Sequence, residues 1–235
     1  MIRLHFTVEG HTEKAFAKTV LAPHLGHFRV FADVRCVLTS KDKRSGKEFR
    51  GGLRSYQKAK KDILAWMTED RDPQCRFTTM FDLFRLPDDF PGCPEANKEH
   101  DPYQQVDLLE GALARDIDDP RFIPYIQLHE FETLILADPE KLDCEYMEHR
   151  EAIEDLVWMV GKENPELINS SPETAPSKRI IREIPEYDKV GAGVSVTQEI
   201  GLPVLRDKCR HFNQWFTRLE GLAESRGHVS ASRQD

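Results

Sequence analysis

No Cys-x-x-Cys pair occurs in this sequence, and its five cysteines (Cys36, Cys75, Cys93, Cys144 and Cys209) are odd in number and widely scattered. That spacing argues against a zinc site or a disulfide framework and fits buried or neutral thiols in a reducing cytoplasm. Also absent is any apolar run near the roughly 18 residues that span a bilayer, and no charged-then-apolar leader opens the chain. A soluble, cytoplasmic protein without a membrane partner is expected. There is no internal repeat and no low-complexity tract. Positive charge is in deficit, with a net charge of -8, which is awkward for a nucleic-acid enzyme because phosphate binding draws on basic groups. What is present suffices for a folded unit: 235 residues with 39% hydrophobic and 31% charged content fit one large or two small domains with a solvated surface.

The most informative stretch is the first. Ile2 to Val8 alternates and carries β-branched residues, as a strand does, and it runs directly into Glu9-Gly10-His11-Thr12-Glu13. Gly10 breaks the strand, Thr12 reads as the N-cap of a helix from Glu13 to Leu21, and Pro23 should end that helix. A strand, a glycine turn and a helix present a side chain at the carboxyl edge of an α/β sheet, where such folds bind ligands. Glu9 would sit on that edge and Glu13 on the first helical turn, although Glu13 could simply favour the positive helix end.

Two further apolar runs close on acids. Arg76 to Phe81 leads into Asp82, and Ile123 to His129 leads into Glu130-Phe131-Glu132. Three such strands would deliver carboxylates to one edge. Crowded carboxylates repel one another, and a hard divalent cation such as Mg²⁺, which takes oxygen ligands, would hold them ionised. On a strand, His129 and Phe131 would face one side and Glu130 and Glu132 the other. If the chain turns into a helix at Glu130, only one glutamate stays near the site. Glu130 is the preferred ligand and Glu132 the supporting acid. His11 reads as a surface residue.

These motifs resemble a bacterial family of unknown function with a TOPRIM-like core. The resemblance rests on Glu9-Gly10-x-Thr12-Glu13, Phe81-Asp82 with Leu86-Pro87, and His129-Glu130-Phe131-Glu132-Thr133-Leu134 with Ala137-Asp138. It continues through Lys178-Arg179-Ile180, Tyr187-x-Lys189, Gly201-Leu202 and His211-Phe212-Asn213-x-Trp215. It spans Met1 to about Leu222. Members of that family are typically found beside AAA or SMC-like ATPases in phage-defence loci. TOPRIM domains bind Mg²⁺ for phosphodiester chemistry through a glutamate and an Asp-x-Asp pair. By resemblance Glu9 matches the glutamate and Asp82 the first aspartate. Phe84 stands where the second would be, with Asp88 and Asp89 nearby and Glu130 or Glu132 able to replace it.

The fold class that follows is α/β, TOPRIM-like, with a mostly parallel central sheet flanked by helices and a helical C-terminal part. Residues 1–140 would form the core, 141–224 a helical extension packed on it, and 225–235 a disordered tail. Further elements are a strand from Phe31 to Leu38 and helices over Leu53 to Met67, Val106 to Ile117, Glu151 to Val160 and Leu205 to Leu222. Leu134 to Ala137 could continue a strand or begin a helix. The proline-rich run from Leu86 to Asp101 reads as loop or lid. Between the first two acid-bearing strands lies a basic, glycine-rich loop with Lys43, Arg44, Lys47, Arg50 and Arg54. Together with Lys178, Arg179 and Lys189 it could hold a phosphate backbone, or be ordinary solvated surface. In the Asn164 to Val190 stretch, Tyr187 reads as surface too. Trp215 reads as core and His211 as a cap or packing residue. A tyrosine nucleophile (Tyr56, Tyr125 or Tyr187) is the weaker catalytic reading.

The expected function is a Mg²⁺- or Mn²⁺-dependent nuclease using Glu9, Glu13, Asp82, Glu130 and Glu132, acting on DNA or RNA as a defence effector with an ATPase partner. The alternatives are a catalytically inactive partner or regulatory subunit of that ATPase, and a small-nucleotide enzyme using the same edge.

Overall fold

A computed structural model describes residues 1–41, 48–168 and 174–226, without the side chains of residues 38–50 and 225–226. The expected tail, Gly227 to Asp235, and residues 42–47 of the basic loop lie outside the described residues.

Strand β1 (Ile2–Val8) is central. It pairs in parallel with β2 (Val30–Cys36) on one side and β5 (Arg76–Asp82) on the other. Beyond β5 lie two short parallel strands, β6 (Phe122–Ile123) and β7 (Ile126–Gln127), giving the order β2-β1-β5-β6 with β7 also on β5. Parallel neighbours need crossovers, and helices supply them. The β1–β2 crossover contains α1 (His11–Phe16) and α2 (Ala22–His27). A small antiparallel hairpin, β3 (Leu38–Lys41) and β4 (Glu48–Arg50), and helix α3 (Tyr56–Glu69) connect β2 to β5. Between β5 and β6 come α4 (Cys93–Ala96) and α5 (Pro102–Ile117). The rest is helical: α6 (Arg150–Val160), α7 (Pro176–Glu183), α8 (Ala192–Lys208) and α9 (Arg210–Glu220). A mostly parallel α/β sheet flanked by helices, with a helical C-terminal part, is therefore the fold.

Each sheet face has its own apolar layer. Ile2, Leu4, Phe6 and Val8 pack with α1, α2 and the C-terminal helices, in one cluster that includes Ile153, Ile180, Leu205, Phe212 and Phe216. On the opposite face Phe77 and Phe81 join Tyr56, Ile63, Val106 and Leu109 from α3 and α5. Because side chains alternate along a strand, Thr78, Met80 and Asp82 point to the first face and Phe77 and Phe81 to the second. Trp215 is core, as expected: its indole N–H donates to Thr78 Oγ1 at 3.0 Å and its ring stacks on Tyr125 at 3.9 Å.

Several expected boundaries move. The first helix starts at His11 with Gly10 as its N-cap, not at Glu13 behind Thr12. Nor does Pro23 end it. A π-helical stretch, Ala17–Leu21, precedes α2, and Pro23 then falls in the first turn of α2, where a missing N–H costs little. The fourth strand is split at Pro124, which cannot donate to a ladder. Past β7, His129 adopts a left-handed φ of 61° and Phe131–Thr133 is a 3₁₀ turn, so Glu130 and Glu132 do not share a strand face. Ile135–Ala137 is a second 3₁₀ turn. The helix expected from Leu205 is divided at Cys209, and its first residues belong to α8, which bends at Gly201 (φ 76°, ψ 151°).

Cys36, Cys75 and Cys209 are buried free thiols. Among the described residues no helix is long and apolar enough to cross a membrane.

Candidate functional site

The carboxyl ends of β1 and β5 lie side by side, because Val8 pairs with Met80. Glu9 and Asp82 therefore leave the sheet together. The Glu9 N–H donates to the Met80 carbonyl at 3.2 Å, and the Asp82 N–H donates back to Glu9 Oε2 at 3.3 Å. Glu13 folds over its own helix start: its Oε2 accepts the Gly10 N–H at 2.8 Å. The approach is close: a Cβ at position 10 would lie 2.9 Å from that oxygen, so a larger residue there would shift the Glu13 carboxylate. The helix-end role considered for Glu13 is thus its geometry, yet the same carboxylate remains buried against the edge.

Lys189 joins the third segment to the first two. Its ammonium donates to Glu132 Oε2 at 3.0 Å and Asp82 Oδ2 at 3.4 Å. Glu130 points elsewhere, accepting the Ser177 N–H at 3.1 Å and the Ser177 hydroxyl. So Glu132, rather than Glu130, meets Asp82 through the lysine. Asp82 and Glu132 are 1% and 0% exposed. One oxygen of each, Asp82 Oδ1 and Glu132 Oε1, is buried with no hydrogen-bond partner among the described residues.

Such burial is expensive for a carboxylate, and the acid strengths register it. Burial first, then the charges of Asp82 and Glu13, push Glu9 up to about 9. Asp82 and Glu132 are each raised to about 7, mainly by burial, with Lys189 opposing the rise. Glu13 is raised by burial as well. Burial works against charge on Lys189, but Asp82 and Glu132 outweigh it and hold the ammonium above its ordinary range. A contrasting carboxylate shows what a structural role looks like. Glu166, also 0% exposed, accepts the His211 and Phe212 N–H groups at the start of α9 and the Tyr103 hydroxyl. Its oxygens are fully used, whereas those of Asp82 and Glu132 are not.

The sequence signature of one protein family matches residues 8–220, from the end of β1 to the end of α9. The chain belongs to that family, described as domain of unknown function DUF4276. No curated protein and no solved structure matches it significantly. The DUF4276 match takes in every acid of the edge and Lys189.

Around this edge the other expected residues are dispersed. Phe84 lies just beyond β5, its N–H donating to the His129 carbonyl at 3.0 Å and its ring 5.2 Å from the His129 imidazole. Asp89 cannot replace a missing ligand: it caps α3, accepting the Tyr56 N–H at 2.9 Å and the Ser55 hydroxyl at 3.1 Å. Lys178 is exposed, and the Arg179 guanidinium turns to the Thr174 carbonyl and Met159 Sδ, away from the acids. Lys43, Arg44, Lys47 and the Arg50 side chain lie outside the described residues, and Arg54 is exposed. The base of their hairpin is nevertheless fixed at the edge. Gly51 and Gly52, both at positive φ, donate N–H groups to the Val37 and Glu9 carbonyls at 2.9 and 2.8 Å.

Tyr187 belongs to the site, although it reads as a surface group in the sequence. It is buried, its hydroxyl has no partner among the described residues, and burial with the nearby Glu132 charge raises its pKa above the ordinary range. Gly193 makes room for it, since a Cβ there would lie 3.0 Å from the hydroxyl. The signal available was spacing: residues 187 and 189 lie two apart outside any helix and so can share a side. Tyr56 bonds Asp116, and Tyr125 bonds Gln127 inside the core, so both have structural partners. His211 bonds Glu110 at 3.0 Å, and the His129 Nε2–H donates to the Glu166 carbonyl at 2.9 Å.

Acidic and histidine groups lie close enough in this chain to bind a metal. Among the described residues, two groupings bring their ligand atoms within 4.8 Å of one another, His5–Asp70–Cys75 and Asp107–Glu110–His211, and neither contains an acid of the carboxyl edge. In the first, Arg3 and Arg121 already donate to Asp70 and Cys75. In the second, Glu110 Oε1 accepts the Ile126 N–H at 2.7 Å.

Proposed function

We propose that this chain is a metal-dependent phosphodiesterase, a TOPRIM-like nuclease acting as effector beside a defence ATPase. One observation carries the reading: Glu9, Asp82 and Glu132, from three segments, converge with Lys189 at the carboxyl edge of a parallel sheet, and two of their buried oxygens have no partner among the described residues. Unsatisfied buried carboxylate oxygens need a partner, and oxygen ligands suit Mg²⁺ or Mn²⁺. Asp82 and Glu132 would hold the ion, with Glu9 bound directly or through water. When bound it would polarise the phosphoryl group and lower the pKa of a water. Lys189 is placed to neutralise charge on a phosphate at the same edge, and Glu9 to exchange a proton with a reacting oxygen within one-water reach.

A second reading, a catalytically inactive partner subunit, is favoured by Lys189 itself. Its ammonium already bridges Asp82 and Glu132, as a structural ion pair would, and Phe84 replaces an expected acid. Purified protein incubated with plasmid, single-stranded DNA and tRNA, in Mg²⁺, Mn²⁺ or EDTA, separates the two. Cleavage that needs the metal and disappears in Glu9→Gln supports the nuclease. Intact substrates in every metal, with stable association to an ATPase, would leave the partner subunit.

A further inference from the structure

Immediately past the acid edge, on the α3/α5 side of the sheet, the chain forms a half-open cavity of about 460 Å³. Leu83, the residue after Asp82, forms part of its wall, and so does Phe84. Two residues span at most about 7 Å of chain, so the Phe84 backbone lies within that distance of the Asp82 backbone. A second tether fixes this relation, because the Phe84 N–H is bonded to the carbonyl of His129, the residue before Glu130. The Phe84 part of the cavity wall is thus tethered to the same two segments that deliver the acids.

Its lining has two chemistries. Phe84, Leu86, Pro87 and Leu109 give flat apolar surface, and Asn97 and Gln105 add side-chain amides, each a donor and an acceptor. The Gln105 amide nitrogen makes one long bond, 3.4 Å to the Ala96 carbonyl, and its oxygen accepts no hydrogen bond among the described residues. Phe84 is backed on its other side by His129, which is buried, held by Glu166 and kept neutral by that burial. A half-buried aromatic ring supported from behind is a stacking platform. The lining has no lysine or arginine, so it is not a phosphate cradle. Asp88 at the rim would repel one.

Apolar walls, one supported ring and amide groups beside an acidic phosphate-handling edge describe the recognition of an unstacked base. We propose that this cavity is a nucleobase pocket, taking one unpaired base whose attached phosphate chain leads to the Glu9–Asp82–Glu132 edge. The inference rests on the phosphodiesterase reading of that edge for its substrate class. It also assigns Phe84, which occupies the place of an expected carboxylate, a role as the stacking wall. A duplex, with its bases paired and stacked, cannot enter. The ligand is then a single-stranded nucleic acid or a free nucleotide, which share this chemistry.

The test uses the full chain in EDTA, where no cleavage is needed. Saturation-transfer NMR with adenosine, cytidine, guanosine and uridine, against ribose as the baseless control, reads the pocket alone. Transfer to base protons is expected for at least one nucleoside and not for ribose. It should fall about tenfold or more in Phe84→Ala, the scale of one lost stack, and persist in Phe84→Tyr. Competition then identifies the source: displacement of the nucleoside by a ten-nucleotide single strand at concentrations far below those of a mononucleotide indicates a strand, and the reverse a free nucleotide. Equal signals from ribose and nucleosides, or unchanged transfer in a folded Phe84→Ala variant, overturn the pocket. Metal-dependent cleavage that survives such a result would leave the phosphodiesterase reading intact, and nucleoside binding without any cleavage would do the opposite.

Discussion

Asp82 and Glu132 are poor choices for stability. Each is buried, each keeps one unpartnered oxygen, and a single lysine answers both. Groups that cost folding energy without an evident structural return are the signature of a site in which stability is traded for function. The isosteric Asp82→Asn should therefore raise the melting temperature in EDTA at pH 8, by removing a buried charge. The same variant should lose metal-dependent cleavage by at least about a hundredfold, as removal of a key electrostatic group does. A variant less stable than the parent under those conditions would assign Asp82 to the scaffold. Lys189→Met tests the other half of the arrangement. Its side chain is one-third exposed, so its loss should cost on the order of 2 kcal/mol, between exposed and buried pair values. If a cation belongs at this edge, 10-fold excess Mg²⁺ over its dissociation constant should recover part of that loss in denaturant titrations.

At the scale of elements, the sheet was legible because its strands carry local signals. Ile2 to Val8 alternates apolar with polar residues, Arg76 to Phe81 is rich in β-branched and aromatic ones, each leads into an acid, and both strands appear where expected. Less visible was anything set by tertiary packing. Pro23 looks like a stop only if the backbone stays α-helical, and the π-helical turn before it removes the conflict. Helix α8 contains Gly201 and Pro203, which locally oppose a helix, and its register comes from Val196, Thr197, Ile200 and Leu205 buried against the core. The edge acids could be read as a set, but their partners could not, since Glu130 to Ser177 and Glu132 to Lys189 are contacts across 47 and 57 positions. Helix α9 shows how such long-range contacts set stability. Trp215 stacks on Tyr125 and bonds Thr78 across the sheet face. Trp215→Ala should cost about 3–5 kcal/mol. Trp215→Phe, which retains a ring but orphans the Thr78 hydroxyl, should cost about 1–2 kcal/mol. A Trp215→Phe midpoint equal to the parent's would refute the hydrogen bond's share, and equal midpoints for the two variants would refute the ring's.

For the molecule as a whole, the question is how a chain of net charge -8 tolerates another acidic cluster inside it, and pH is the variable that answers. Glu9 is raised to about 9, and Asp82 and Glu132 to about 7, by burial and by one another. Unfolded, the same groups titrate near about 4. Between those limits the folded protein holds more protons than the unfolded one. The sign follows from linkage: where the native state binds more protons, stability falls as pH rises. The metal-free protein should therefore be more stable at pH 5.5 than at pH 8.5, with the loss running through the folded values near 7 and 9. Glu9→Gln should remove the upper part of that decline. A divalent cation at the edge reverses the electrostatic argument, since it favours the ionised acids and releases their protons on binding. Saturating Mg²⁺ should then flatten the dependence, raise the melting temperature more at pH 8.5 than at pH 5.5, and release protons measurable by calorimetry in buffers of different ionisation enthalpy. A Mg²⁺ shift that is equal at both pH values, without proton release, would place any bound ion away from Glu9, Asp82 and Glu132 and return the edge to Lys189 alone.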